Sequence, residues 1–110
     1  MTTYYTCQYD DYAGYEDISK HTTLRTALAH IRRQMSNSTA ERGMIFENVR
    51  PTGYLSDRMP KGLIGIVVPR TKRAGSGLKE QYIYLKRVKY KSSGYWPEYI
   101  IMSDGSLTKL

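Results

Sequence analysis

With 110 residues, 40% of them apolar and 25% charged, the chain can bury a core of its own and is neither a disordered nor a fibrous polymer. Its single cysteine, Cys7, rules out an internal disulfide and predicts a reducing, cytoplasmic setting, with the thiol packed as a small hydrophobe. The net charge of +7 predicts attraction to polyanions or acidic surfaces.

Thr3 to Tyr9, rich in Thr and Tyr, predicts a first strand. Asp10 to Ser19 follows as an acidic loop around Gly14, since residues 1–19 hold Asp10, Asp11, Glu16 and Asp17 and no Lys or Arg. From Thr23 to Met35 the apolar residues Leu24, Ala27, Leu28, Ile31 and Met35 recur at the spacing of one buried helical stripe. Thr22 or Thr23 caps its start, and Arg32 and Arg33 lie in its last turns, where cations complement the helix dipole. Met44 to Arg50 predicts a strand with neither face purely polar. Leu63 to Val68 is apolar on both faces, which predicts a central, doubly covered strand ended by Pro69. It is too short to cross a bilayer, and no apolar run follows a basic start, so neither membrane insertion nor export is expected.

The rest of the chain is basic and aromatic. Residues 70–91 carry Arg70, Lys72, Arg73, Lys79, Lys86, Arg87, Lys89 and Lys91 against one acid, Glu80. The connection from Arg70 to Gln81 is long for a hairpin loop and has Gly75-Ser76-Gly77 at its tip, the composition of a flexible basic arm. Tyr82 to Tyr90 and Tyr95 to Met102 predict a hairpin about Ser92-Ser93-Gly94, and Asp104-Gly105 predicts a turn into a short edge strand, 106–110. Along Tyr82–Tyr90 two arrangements are open. A bulge near Lys86-Arg87 returns Val88 and Tyr90 to the face of Ile83 and Leu85. Without it, one face reads Tyr82, Tyr84, Lys86, Val88 and Tyr90, an aromatic and cationic platform. The order β-α-β-β-β-β predicts a single α+β domain over 1–110, a mostly antiparallel sheet with one amphipathic helix on one face.

Catalytic constellations are weak. His21 and His30 stand nine apart, outside the i, i+4 spacing of a helical metal pair, and suit exposed roles. Cys7 lacks the flanking pattern of a nucleophile. The acids at 10, 11, 16 and 17 miss the alternating spacing of a calcium loop, and Ala74-Gly75-Ser76-Gly77 lacks the lysine of a nucleotide-phosphate cradle. Gly65-Ile66-Val67 and Tyr82-Ile83-Tyr84 miss the GIY-YIG nuclease triplets at the third position of each. No enzyme, cofactor or metal is therefore expected.

What remains is a binding surface. Cations neutralise phosphates and ring faces stack on exposed bases. A non-enzymatic nucleic-acid-binding protein is expected, with Arg70, Lys72, Arg73, Lys79, Lys86, Arg87, Lys89 and Lys91 on phosphates and Tyr82, Tyr84, Tyr90, Tyr95 and Trp96 on bases or sugars. DNA and RNA are equally compatible. Arg25, Arg32 and Arg33 on the helix form a second basic patch. The rival reading is a protein-binding inhibitor or adaptor, of the kind phages encode against host nucleic-acid enzymes, docking through the same tyrosine-rich basic sheet on an acidic or nucleic-acid-binding partner. A homo-oligomer pairing its tyrosines across an interface is a third.

Overall fold

The computed structural model describes residues 1–10, 13–36, 40, 42–53, 60–68, 81–86, 88–92 and 97–109. Strands β1 (Tyr4–Asp10) and β2 (Gly14–His21) precede helix α1 (Leu24–Ser36). After it come β3 (Arg42–Glu47), β4 (Leu63–Val68), β5 (Gln81–Tyr84), β6 (Lys89–Ser92), β7 (Pro97–Ile101) and β8 (Leu107–Lys109). The first five strands form one antiparallel sheet in the order β2-β1-β3-β4-β5, and the last three a second sheet in the order β6-β7-β8. The architecture is α+β with one helix packed on the larger sheet.

The helix forms where the stripe predicts it. Thr23 caps it: its Oγ1 accepts from the Thr26 backbone N–H at 3.2 Å, taking up one of the donors a helix start leaves open. Ala27, Ile31 and Met35 are buried, with Leu24 and Leu28 half-buried beside them. They pack on Ile45, Ile64 and Val67, the helix-facing residues of β3 and β4. Gly43 lets the helix come close, since a Cβ there would stand 2.6 Å from Ile31 Cγ1 and 2.7 Å from Met35 Cγ.

The opposite face of the larger sheet carries a second cluster: Cys7, Tyr9, Met44, Phe46, Leu63, Ile66 and Leu85. Val88, Tyr90 and Ile100, at the start of and within the smaller sheet, pack against it. The smaller sheet therefore covers the face the helix leaves bare. Strand β4 is doubly covered as its composition predicts, one place from the central strand β3. A register shift opposite Ile45 and Phe46 puts Leu63 with Ile66 on one side and Ile64 with Val67 on the other.

Three expectations need correction. Much of the supposed acidic loop is strand β2, paired with β1 from Asp10↔Gly14 to Tyr4↔His21. Its irregularity lies at Asp17, left-handed at φ 53°, where the register shifts between Thr6 and Gln8 and Gln8 Nε2 donates to Asp17 Oδ2 at 3.0 Å. The extra residue turns Tyr15 and Ile18 both inward, a spacing of three that disguises a strand. The single run predicted over 82–90 is two strands in two sheets, β5 and β6. The hairpin closes later than expected, with Ser92 opposite Pro97. No helix among the described residues is long and apolar enough to cross a membrane.

Replacing Ile31 with Ala is expected to cost ~2–5 kcal/mol in urea unfolding, as for emptying a well-packed site. Leu28→Ala, at a half-buried position, costs less than Ile31→Ala. Gly43→Ala loses ~1–3 kcal/mol by forcing Ile31 and Met35 off the sheet.

Candidate functional site

The smaller sheet has a clear inside and outside. Tyr90, Ile100 and Thr108 stand opposite one another in register, and Tyr90 and Ile100 pack inward on the core. By strand alternation the flanking positions belong to the other face. One row there is Lys89↔Ile101↔Leu107, and the next pairs Lys91 with Tyr99, whose partner on β8 is Lys109. Lys89, Lys91 and Leu107 are exposed, and Tyr99 and Ile101 half-exposed. Direct cross-strand partners have Cβ atoms ~4.5–5.5 Å apart, so each lysine stands beside an apolar or aromatic side chain facing water.

Of the residues singled out in the sequence, this arrangement brings together Lys89 and Lys91. It separates the tyrosines: Tyr84 packs on the helix-side cluster and Tyr90 on the opposite one, so the platform of Tyr82, Tyr84, Lys86, Val88 and Tyr90 does not form. Leu85, Val88 and Tyr90 share one cluster, the outcome of the bulged alternative, reached here by a turn at Leu85-Lys86 between β5 and β6. Lys86 is committed elsewhere. Its Nζ donates to both Glu47 carboxylate oxygens at 2.9 Å, and that bond raises the lysine's pKa. Tyr82 sits in β5 opposite Val67. Arg70, Lys72, Arg73, Lys79, Arg87, Tyr95 and Trp96 lie outside the described residues. On the helix, Arg25 and Arg33 are exposed and Arg32 half-buried.

Sequence reasoning passed over Tyr99, because the expected turn at Ser92-Ser93-Gly94 sets a different register. The Lys91↔Tyr99 pairing depends on a shift between Lys91 and Ser92.

Cys7 is fully buried, and burial pushes its thiol up to about 12, so at neutral pH it is an uncharged core group. The histidines, nine apart in sequence, are brought together across the β2–α1 connection with ring centroids 4.9 Å apart. Neither is fully exposed as expected: both are half-buried, and His21 Nε2 shares a 3.1 Å hydrogen bond with Oγ1 of buried Thr6. His30 Nε2 is shielded from water without a hydrogen-bond partner. Among the described residues no three His, Cys, Asp or Glu side chains gather as a metal site would need.

No protein-family model, curated protein or solved structure matches this chain.

Burial, and then the neighbouring His30, hold His21 below its ordinary pKa of 6.5. The folded protein thus takes up this proton less readily than the unfolded chain does. Stability is unaffected by this group above its ordinary value and declines as pH falls through that value toward the folded one. In urea titrations between about pH 7.5 and 5, His21→Gln is expected to remove part of the acid-side loss.

Proposed function

We propose that the protein is a small, non-enzymatic, cytoplasmic nucleic-acid-binding protein that receives single strands on the outer face of the β6-β7-β8 sheet. The observation that carries this reading is the pairing of Lys91 with Tyr99 and of Lys89 with Ile101 on the face turned away from the core. A ring on an open sheet offers a stacking surface to any base, and lysines beside it meet the phosphates on either side. The sequence between β4 and β5 also holds Arg70, Lys72, Arg73 and Lys79, which add to the protein's net positive charge. Three short strands present no recognition helix to a major groove, which favours a strand with accessible bases over a paired duplex.

A second reading, a protein-binding inhibitor or adaptor, draws support from Leu107 and Met102, 47% and 45% exposed at and beside the same face. Large exposed apolar side chains beside an aromatic ring suit a protein partner as well as a sugar edge.

Affinity for single-stranded DNA or RNA is expected to fall with salt at a log–log slope of about −0.7 per neutralised phosphate. Replacing Lys89 and Lys91 with Gln flattens that slope by roughly 1.4 units on the same rule. Tyr99→Ala instead weakens binding by ~1–3 kcal/mol with little change in slope, since stacking releases no ions. Failure to bind any nucleic acid at about 50 mM salt gives the face to the protein-partner reading.

With no metal-holding cluster among the described residues, incubation with magnesium, manganese or zinc is expected to leave nucleic acid uncut. Cleavage that coelutes with the protein on a sizing column and is lost with EDTA overturns the non-enzymatic assignment.

A further inference from the structure

Away from the outer face of the smaller sheet, the region after β3 forms a cleft with room for about 190 Å³. Its apolar lining is Tyr15, Phe46, Val49, Pro51 and Pro60, and its cations are Arg50 and Lys61. The Tyr15 ring meets Phe46 edge-on, centroids 5.8 Å apart at 85°, leaving it fixed in orientation. Arg50 and Lys61 are exposed, and among the described residues neither is paired with a carboxylate.

The chain around this cleft is held in unusual backbone. Asn48 is left-handed at φ 60° and anchored twice to Thr3: its N–H donates to the Thr3 carbonyl at 2.7 Å, and its Oδ1 accepts from the Thr3 N–H at 2.8 Å. Gly62, at φ 84°, accepts at its carbonyl from the Glu47 N–H at 2.8 Å, and a Cβ there would meet Val49 Cγ2 at 2.8 Å. Gly53, at φ 69°, accepts from the Tyr15 N–H at 3.2 Å, tying this segment to β2. Glycine takes this conformation without steric cost, whereas a left-handed non-glycine residue such as Asn48 costs free energy and persists where surrounding bonds over-determine it, a pattern that concentrates at binding sites. The Tyr15 hydroxyl is protonated at neutral pH as in any tyrosine, and burial raises its pKa further.

Size and chemistry together select the ligand. A cavity of roughly 150 Å³ holds a single benzene ring, so 190 Å³ matches one six-membered ring. Proline and tyrosine surfaces pack a planar ring, and two cations at the mouth call for an anion attached to it. We propose that this cleft seats one pyrimidine nucleotide, its base against Tyr15 between Pro51 and Pro60 and its phosphate between Arg50 and Lys61. The nucleotide comes either free or as one unit of a bound strand. In the second case the proposal deepens the nucleic-acid reading and rests on it.

The test is calorimetric titration of the intact protein with UMP, AMP, inorganic phosphate and an oligothymidylate, and of three variants with the first and last. Saturable UMP binding is expected, with AMP and phosphate each at least several-fold weaker. Arg50→Gln with Lys61→Gln should weaken UMP about tenfold or more, as for losing the charge-assisted contacts to phosphate. Lys89→Gln with Lys91→Gln should leave UMP unchanged. Thr22→Ala, exposed and outside the cleft, is the neutral control and should retain binding, and unchanged urea unfolding of the Arg50→Gln with Lys61→Gln variant controls for damage to the segment. Absence of UMP binding, AMP or phosphate binding as well as UMP, or insensitivity to Arg50→Gln with Lys61→Gln overturns the site. Oligothymidylate binding that depends on Lys89 and Lys91 but not on Arg50 and Lys61 also overturns it, and leaves the outer-face reading standing. UMP binding without any oligonucleotide binding supports the cleft as a free-nucleotide site and removes the strand-binding reading.

Discussion

Strand β3 has water on neither of its faces, and the remaining elements are arranged around that condition. Gly43 and Ile45 look toward the helix, while Met44 and Phe46 look toward the smaller sheet, and all four are buried. A strand apolar on both sides cannot rest in a two-layer fold with one wet face, so it needs a cover on each. The helix supplies one cover and the C-terminal strands the other. The missing side chain at Gly43 sets how closely the first cover approaches. Full burial of a side chain such as Ile45 or Phe46 contributes about 1.5–3 kcal/mol, and several such residues meet along these two strands.

This three-layer arrangement decides which surface is left for partners. Both broad faces of the larger sheet are spent on packing, so Tyr84 and Tyr90, which a single continuous strand would display together, are drawn to opposite sides of it. The smaller sheet pays no such double duty: it gives its inner rows to the core and keeps its outer rows for water. Among the described residues no further layer lies above that face, and lysines stand beside Tyr99 there. The cleft between the β2 start and the segment following β3 has a different origin. It arises where the chain leaves the covered strand through left-handed residues and turns back under its own hydrogen bonds.

Much of this was legible beforehand, for identifiable reasons. The helix declared itself because Leu24, Ala27, Leu28, Ile31 and Met35 follow one period without interruption. Strand β4 did so because six successive apolar or glycine residues admit little else in a sheet protein. The turn at Asp104-Gly105 is local chemistry, with Asp104 Oδ1 accepting from the Ser106 N–H at 2.8 Å and Gly105 at φ 85°. Strand β2 was hidden because one left-handed aspartate breaks its alternation, and acidic residues in a run around a glycine imitate a loop. The split between β5 and β6 was hidden because residues such as Leu85 and Val88 look the same whether the chain continues or changes sheet. Tyr99 was missed through register alone, and the His21–His30 contact through its dependence on how strand and helix meet.

The left-handed Asp17 also bears on how readily the margin of the larger sheet can pair with another strand. Strand β2 is the outermost strand of the larger sheet, with one row of backbone donors and acceptors turned away from β1. A straight, apolar margin of that sort invites a second molecule to continue the sheet and, repeated, begins a fibre. Here the margin is bent by the extra residue, and Glu16, Asp17 and Lys20 are exposed along it. An approaching strand would meet a kink where it needs a flat ladder, and two adjacent negative charges repeated on its own copy. The irregularity that conceals the strand from a reader of the sequence thus also conceals its edge from other copies of the chain.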